Sequence, residues 1–168
     1  FINESEGAVL PNHVVTTEDM KHFMRVELNI HDYDKNKDEH FKIEPYDFQI
    51  EYVRRALGNN RSLLLSPTSS GKSLIMYGLT NAYMQTTDRD ILIVVPTVGL
   101  VEQLYDDFKN YSHNYDGFDI EDMHKIKAGA DKDLKKRVTV TTWQSIMNMD
   151  KEWFERFGSI LGDEAHSF

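Results

Sequence analysis

The stretch Ser66 to Ser73, which reads SPTSSGKS, constrains the fold of this chain more than any other. It ends in Gly-Lys-Ser, as the phosphate-loop pattern G-x-x-x-x-G-K-[ST] does, but Ser66 stands where that pattern has its first glycine. The apolar run Ser62 to Leu65 precedes the stretch and predicts a buried strand, and Leu74 to Met84 follows as a predicted helix. Backbone N–H groups between a strand and a helix bind phosphate. On this evidence alone, a nucleotide site and an exposed serine-rich turn remain about equally open.

Two adjacent acids favour the nucleotide site. Asp163 and Glu164 follow the apolar run Ser159 to Gly162, and 91 residues separate Lys72 from Asp163, enough for two or three strand–helix units. In phosphate-loop enzymes, an acid at a second strand end holds Mg²⁺, and an adjacent carboxylate can polarise the attacking water. We therefore predict that Lys72 contacts the β- and γ-phosphates, that Ser73 and Asp163 hold the metal, and that Glu164 activates water.

Apolar patterning predicts an α/β domain around these motifs. Helical spacing predicts helices over 48–57, 74–84, 100–108 and 153–157. Short apolar or β-branched runs predict strands over 62–65, 91–95, 138–141 and 159–163, with a further candidate over 119–126. Alternating strands and helices indicate a parallel sheet with helices on both faces.

The first 43 residues have a different character. Thr17 is a candidate N-cap for a short helix, and Asp32 to His40 is a charged run that predicts a surface loop or linker. The apolar stripe of that helix would be Met20, Phe23, Met24 and Leu28. We predict that 1–43 is the tail of an N-terminal accessory domain with a linker, and that 44–168 is the main domain. Because the chain begins at Phe1, we expect it to be part of a longer protein.

Composition excludes several classes of protein. The 168 residues contain no cysteine, hence no disulfide or thiolate metal site, and no apolar run of about 18 residues that would span a membrane. These absences fit an intracellular protein. The net charge of −9 disfavours a generally basic nucleic-acid binder. The segment His124 to Arg137 nevertheless has six basic residues against two acidic ones, and a phosphate-contacting track and a solvated loop are equally compatible with it.

Four stretches, taken in order, resemble motifs I, Ia, Ib and II of superfamily 2 helicases: Ser66 to Ser73, Val94 to Thr97, Val140 to Ser145 and Asp163 to His166. The resemblance covers about 43–168. Within the superfamily, the chain is most similar to the phage UvsW-type branch-migration helicases. The supporting features are the serine-rich loop, Thr-Trp-Gln in the third motif, and Lys-Glu-Trp-Phe shortly before the fourth.

The resemblance implies a RecA-like P-loop NTPase lobe that takes ATP and Mg²⁺. It implies these nucleotide-binding residues: Gln49, Pro67, Thr68, Ser69, Ser70, Gly71, Lys72 and Ser73. Among them, Gln49 would read the adenine edge through its amide. Ser69 replaces a glycine and Ser66 a small residue of the usual helicase motif, so we expect weaker or slower nucleotide handling rather than its loss.

The later motifs imply contacts with nucleic acid. The residues concerned are Pro96, Thr97, Thr141, Thr142 and Gln144. Trp143 could stack on a base, although a core position is favoured. His166 would couple the nucleotide site to later motifs.

The expected function is the first motor lobe of an ATP-dependent DNA helicase or translocase that remodels branched DNA in recombination or repair. A second lobe after Phe168 would complete the ATP site, so the present chain alone should hydrolyse ATP poorly. The alternatives are the motor subunit of a restriction enzyme, an RNA helicase, and a catalytically degenerate module that binds nucleic acid without turnover. A membrane partner is not expected.

Overall fold

The N-terminal part of the chain forms a short helix and a hairpin. A computed structural model describes residues 15–59, 71–127, 130–133 and 135–163. Helix α1 (Thr17–His22) continues into a π-helical turn, Phe23–Glu27. Its N-cap is Thr16, whose hydroxyl accepts from the Asp19 N–H at 3.1 Å, so the prediction of Thr17 as the cap was wrong by one residue.

The charged run at 32–40 forms part of a hairpin, and the prediction of a surface loop or linker there was wrong. Strands β1 (His31–Asp34) and β2 (Glu39–Lys42) pair antiparallel. In the turn between them, Asp38 has a positive φ of 54°. Aspartate tolerates this left-handed conformation better than most residues, which helps the chain reverse here.

The described residues contain five further helices: α2 (Asp47–Leu57), α3 (Lys72–Thr86), α4 (Val98–Tyr111), α5 (Trp143–Ile146) and α6 (Lys151–Glu155). Helix α5 was not predicted. Helices α2, α3 and α4 confirm the first three predicted helices and extend each by one to five residues. Helix α6 ends before Phe157, which begins a strand instead. The strand predicted over 62–65 lies outside the described residues.

The centre of the fold is a parallel sheet of four strands. These are β3 (Asp90–Val95), β4 (Met123–Ile126), β5 (Val138–Thr142) and β6 (Phe157–Gly162), in the order β4-β5-β3-β6. A 3₁₀ turn, Ile120–Asp122, occupies the start of the segment predicted as a strand over 119–126. Each neighbouring pair is parallel, which confirms the predicted α/β class.

Helices cover both faces of this sheet, as predicted. Ile91, Ile93 and Val95 of β3 belong to a large apolar cluster with α2, α3 and α4. Leu92 and Val94 belong to a second cluster that includes Ile146 of α5, Trp153 of α6 and Phe157 of β6. The alternation of β3 side chains between two clusters places this strand inside the fold, with its carboxyl end available to a site.

Residues of the N-terminal part belong to the larger cluster. Met24, Leu28 and Ile30 have at most 1% exposure and share that cluster with Tyr77 of α3 and Phe108 of α4. The boundary proposed at residue 43 stays a prediction. Within the described residues, no helix is both long and apolar enough to cross a membrane.

Candidate functional site

Gly71 shapes the start of helix α3. It caps the helix in the left-handed conformation, with φ 71° and ψ 46°. A Cβ atom added here would collide with the amide nitrogen of Gln49. Two features therefore favour glycine here: the dihedrals disfavour a side chain, and an added Cβ would force the Gln49 amide to move.

Lys72 and Asp163 meet although they are 91 residues apart in the chain. Lys72 is the first residue of α3, and Asp163 follows β6 directly. The Lys72 Nζ lies 3.5 Å from Asp163 Oδ1, and both side chains are largely shielded, with exposures of 29% and 19%. The backbone N–H of Asp163 donates to the Val94 carbonyl at 3.0 Å, which fixes the acid at the end of the sheet. The lysine predicted to bind phosphate and the carboxylate predicted to bind the metal thus meet at the end of the sheet, and both roles stay predictions.

Gln49 lies beside this helix start and is 3% exposed. Its Oε1 accepts from the Tyr46 N–H at 2.9 Å, while its amide nitrogen lies against Gly71. Two exposed aromatic rings, Tyr46 and Phe48, stack close by with centroids 5.8 Å apart. The position next to Gly71 fits a role in nucleotide binding, and adenine recognition by Gln49 stays a prediction.

The hydroxyl of Ser73, the predicted metal ligand, contacts helix α4. Its Oγ lies 2.8 Å from the Tyr111 hydroxyl. Burial raises the pKa of the Asp107 carboxyl, and a hydrogen bond with Ser73 partly opposes that rise. Burial also raises the pKa of Tyr111. The predicted ligation of Mg²⁺ by Ser73 stays a prediction, and it would require this hydroxyl to leave or share its partners on α4.

An open pocket of about 500 Å³ lies at the carboxyl ends of the strands. Its lining brings together four of the five residues predicted to contact nucleic acid and adds two lysines: Pro96, Thr97, Val98, Lys127, Lys132, Thr142, Gln144 and Ser145. The Thr97 hydroxyl caps α4 by accepting from the Leu100 N–H at 3.2 Å. The Thr142 and Ser145 hydroxyl oxygens lie 2.9 Å apart. Hydroxyls and ammonium groups around one cavity are suited to a phosphate backbone.

Thr141 is the member of the predicted set that does not line the pocket. Its side chain is buried, and its hydroxyl donates to the Ile126 carbonyl at 3.2 Å. The Thr141 side chain therefore links β5 to β4 within the sheet. Its predicted contact with nucleic acid finds no support in this position.

Glu102 of α4 controls the charge beside the pocket. Lys127 Nζ lies 2.7 Å and Lys125 Nζ 2.8 Å from its two carboxylate oxygens. These two hydrogen bonds hold the pKa of Glu102 down at about 2, so the carboxylate is ionised throughout the working pH range. One acid therefore offsets part of the positive charge of the basic segment that begins at His124.

Trp143 is on the surface, so the preference for a core position was wrong. Its exposure is 42%, whereas Trp153 is 7% exposed and packs under the sheet. Trp143 lies between Thr142 and Gln144, both of which line the pocket.

Several predicted site residues lie outside the described residues: Pro67, Thr68, Ser69, Ser70, Glu164 and His166. Ser66, which departs from the usual motif, also lies outside them. Conversely, sequence reasoning missed Glu102, Asp107 and Tyr111 of α4. All three meet their partners through tertiary packing, and nothing in their local sequence marks them as belonging to a site.

Together, the sheet, the glycine-capped helix and the Lys72–Asp163 pair define a lobe of the RecA-like, phosphate-loop class. Comparison of the sequence with family models is more specific. The chain belongs to the family described as the type III restriction enzyme, res subunit (ResIII), whose model matches residues 42–168.

Individual relatives agree with this assignment. The chain is 41% identical over 132 residues to the ATP-dependent DNA helicase uvsW of Enterobacteria phage T4, a match that covers 74% of this chain and 25% of the relative. It is 30% identical over 125 residues to the DNA 3'-5' translocase XPB2 of Sulfurisphaera tokodaii, covering 74% of this chain and 26% of that protein. The aligned regions therefore span about a quarter of the length of these curated relatives.

Solved structures give the same result. Two crystal structures of bacteriophage T4 UvsW match 90% of this chain at 35% identity, with TM-scores of 0.75 and 0.77. The match covers 51% and 29% of those chains. The resemblance to superfamily 2 helicases, and to the UvsW type among them, is confirmed.

Proposed function

We propose that the chain is the first motor lobe of an ATP-dependent DNA helicase or translocase that remodels branched DNA inside the cell. The approach of Lys72 Nζ to Asp163 Oδ1, at 3.5 Å, is the observation that carries this proposal. The two side chains are partly buried and come from residues 91 apart in the chain, and they meet at the end of the sheet, where a nucleotide with its Mg²⁺ would need a cation and a carboxylate. The pocket lined by Thr97 and Gln144 supports a nucleic-acid partner.

Each residue of the site has a distinct task in this function. When bound, Mg²⁺ would supply charge stabilisation to the transferring phosphoryl group. Lys72 would bind the terminal phosphates, and Ser73 and Asp163 would hold the metal. Glu164 would take the proton from the attacking water. Gly71 keeps the backbone open for close approach of the phosphates.

ATP binding by the 168-residue chain tests the site directly. Titration calorimetry with Mg²⁺ present should give weak binding for the wild type and a further loss for Lys72→Ala. A hydrogen bond to a charged group is worth about 1.5–3 kcal/mol, so the loss should be roughly 10- to 150-fold. Lys109→Ala is the matched control, because Lys109 is exposed on α4 and lies outside the site. Equal ATP affinity in wild type and Lys72→Ala would contradict the proposal.

ATP turnover tests the motor and its substrate. We expect the 168-residue chain to hydrolyse ATP slowly, because arginines of a second lobe are needed to complete such a site. In a longer protein that includes a second lobe, branched DNA should stimulate turnover more than single-stranded DNA, duplex DNA or RNA does. Stimulation by RNA alone would move the assignment to an RNA helicase. DNA binding with no turnover in either wild type or Lys72→Ala would identify a binding module instead.

A further inference from the structure

We propose that Trp143 and Met147 form a base-stacking platform beside the pocket, so that this surface takes single-stranded rather than duplex nucleic acid. The inference rests on the proposed nucleic-acid-binding function and specifies which form of the polymer the lobe contacts and through which side chains. Neither residue belongs to the set predicted to contact the backbone.

The first observation is the exposure of these two apolar side chains. Trp143 is 42% exposed and Met147 is 54% exposed. The Met147 N–H donates to the Trp143 carbonyl at 2.9 Å, one helical turn away. Residues four apart lie on the same side of a helix, so Trp143 and Met147 lie on one face of α5 and the residue that follows it. Two exposed apolar residues on one helix face form a candidate contact surface, and the chemistry beside them decides what would cover it.

The second observation is the chemistry next to this pair. Trp143 stands between Thr142 and Gln144, which line the pocket together with Lys127 and Lys132. An apolar platform bordered by ammonium and hydroxyl groups matches a polymer with flat apolar rings and an anionic backbone. A protein partner would be expected to cover the platform without needing the lysines. Charge therefore favours nucleic acid as the occupant.

An aromatic surface next to groups that bind phosphate favours single-stranded over duplex nucleic acid. In a duplex, the faces of the bases are stacked on one another and cannot reach an aromatic ring outside the helix. In a single strand, one face of a base is free to stack on Trp143 while Lys132 contacts an adjacent phosphate, together with Lys127, whose charge is shared with Glu102. Binding of this kind tolerates any sequence, because every base has a π-face.

Fluorescence provides the first arm of the test. The chain has two tryptophans, so Trp153→Phe leaves Trp143 as the sole indole emitter. This variant is titrated with oligothymidylate and with an abasic oligomer of equal length, and binding is followed separately by anisotropy of a labelled end. We expect oligothymidylate to quench the Trp143 emission, and the abasic oligomer to bind through its phosphates with little quenching. Equal emission with both bound oligomers would overturn the platform.

Affinity provides a second arm, which does not depend on Trp153→Phe folding. Trp143→Ala should weaken oligothymidylate binding about 5- to 150-fold, the range for losing one stacked base. Trp143→Phe should restore most of that loss, and neither change should alter ATP affinity or binding of the abasic oligomer. An unchanged affinity in Trp143→Ala would identify the pair as a protein-facing surface and overturn the inference. If the wild type binds ATP but no oligomer at all, the proposed nucleic-acid function of this pocket fails, and the platform fails with it.

Discussion

At the scale of single residues, the helix start at Gly71 depends on a backbone that only glycine adopts easily. The positive φ and the amide of Gln49 beside the backbone both disfavour a side chain at this position. The sequence pattern correctly marked Gly71 as a special position. It could not reveal the contact with Gln49, which depends on how α2 packs beside α3.

Gly71→Ala should destabilise the fold and weaken ATP binding. The left-handed conformation costs a residue with a Cβ about 1–2 kcal/mol, and the Gln49 side chain must also move. Urea unfolding of wild type and variant measures the change in the free energy of unfolding.

Gly99→Ala is the matched control for that change. Gly99 lies in the first turn of α4, and its added Cβ would come no closer than 3.8 Å to the Thr97 hydroxyl oxygen. Alanine favours helix, so this variant should be as stable as the wild type or more stable by up to about 1 kcal/mol. Equal decreases in the free energy of unfolding of both variants would show that the left-handed conformation at Gly71 does not account for the effect.

At the scale of elements, helix α4 sets part of the charge beside the pocket. Glu102 of α4 pairs with Lys125 and Lys127 at the end of β4, which reduces the positive field that a phosphate would meet at the pocket. The sequence showed the excess of basic residues in this segment. It could not show that Glu102, about 25 residues earlier in the chain, pairs with Lys125 and Lys127.

Glu102→Gln should strengthen binding of single-stranded DNA several-fold. The change removes one negative charge and leaves Lys127, which lines the pocket, free to contact phosphate. Binding at low and moderate salt, measured by anisotropy, should show tighter binding and a steeper salt dependence. Glu18→Gln alters the net charge equally on α1, where Glu18 pairs only weakly with Lys21, and serves as control. Weaker binding in Glu102→Gln would mean that Glu102 orders the lysines rather than masking them.

The hairpin meets the end of α4 through three histidines. The rings of His40 and His113 stack with centroids 3.6 Å apart, and the His31 ring lies 6.2 Å from that of His113. Burial, followed by repulsion from His40 and His31, lowers the pKa of His113. The unfolded chain therefore binds a proton at His113 more readily than the folded chain does.

Stability contributed by this contact should fall as the pH falls. Because the pKa of His113 is lowered in the folded chain, its contribution to the free energy of unfolding is intact above the ordinary pKa near 6.5. That contribution is lost as the pH falls from 6.5 towards the lower pKa of the folded state. The urea midpoint of the wild type should decrease more between about pH 7.5 and pH 5.5 than the midpoint of His113→Gln. Parallel decreases in the two proteins would assign the pH effect to other groups.

The hairpin also shows where sequence reasoning fails at this scale. Residues 32–40 lack the alternation of apolar and polar side chains that marks a strand with one buried face, and their side chains are exposed or only partly buried. The buried strands β3 and β5 carry β-branched or aliphatic runs and were predicted correctly. Short surface hairpins are stabilised by turn geometry and local pairs, which leave a weak signal in composition.

At the scale of the whole molecule, one apolar cluster joins the N-terminal part to the sheet. Met24 is fully buried against the same cluster as Val53 and Tyr77. The alternation of strands and helices was readable from sequence because buried parallel strands are continuous apolar runs. The packing of the residues before 43 could not be predicted from the sequence. Helical spacing shows that one face of a helix is apolar, but it does not show which part of the fold covers that face.

Met24→Ala should lower the free energy of unfolding by about 2–5 kcal/mol, the usual cost of deleting a large buried side chain. Val26→Ala changes a neighbouring residue that is 58% exposed and should stay within about 0.5 kcal/mol of the wild type. Urea unfolding followed by fluorescence should show one transition for all three proteins. A separate early transition that alone responds to Met24→Ala would instead support an independent unit within residues 1–43.

Thr97 caps the start of helix α4 at the pocket, and the helix ends at Tyr111, whose hydroxyl contacts Ser73 at the start of α3. Its 14 residues form a rod about 21 Å long. When a stiff helix shifts as a whole, both of its ends move. A polymer that pulls on the Thr97 end would therefore shift the bond that occupies the Ser73 hydroxyl, and a metal that claims that hydroxyl would release the Tyr111 end. In the proposed motor, the metal-bound nucleotide and the DNA would therefore act on opposite ends of the same helix.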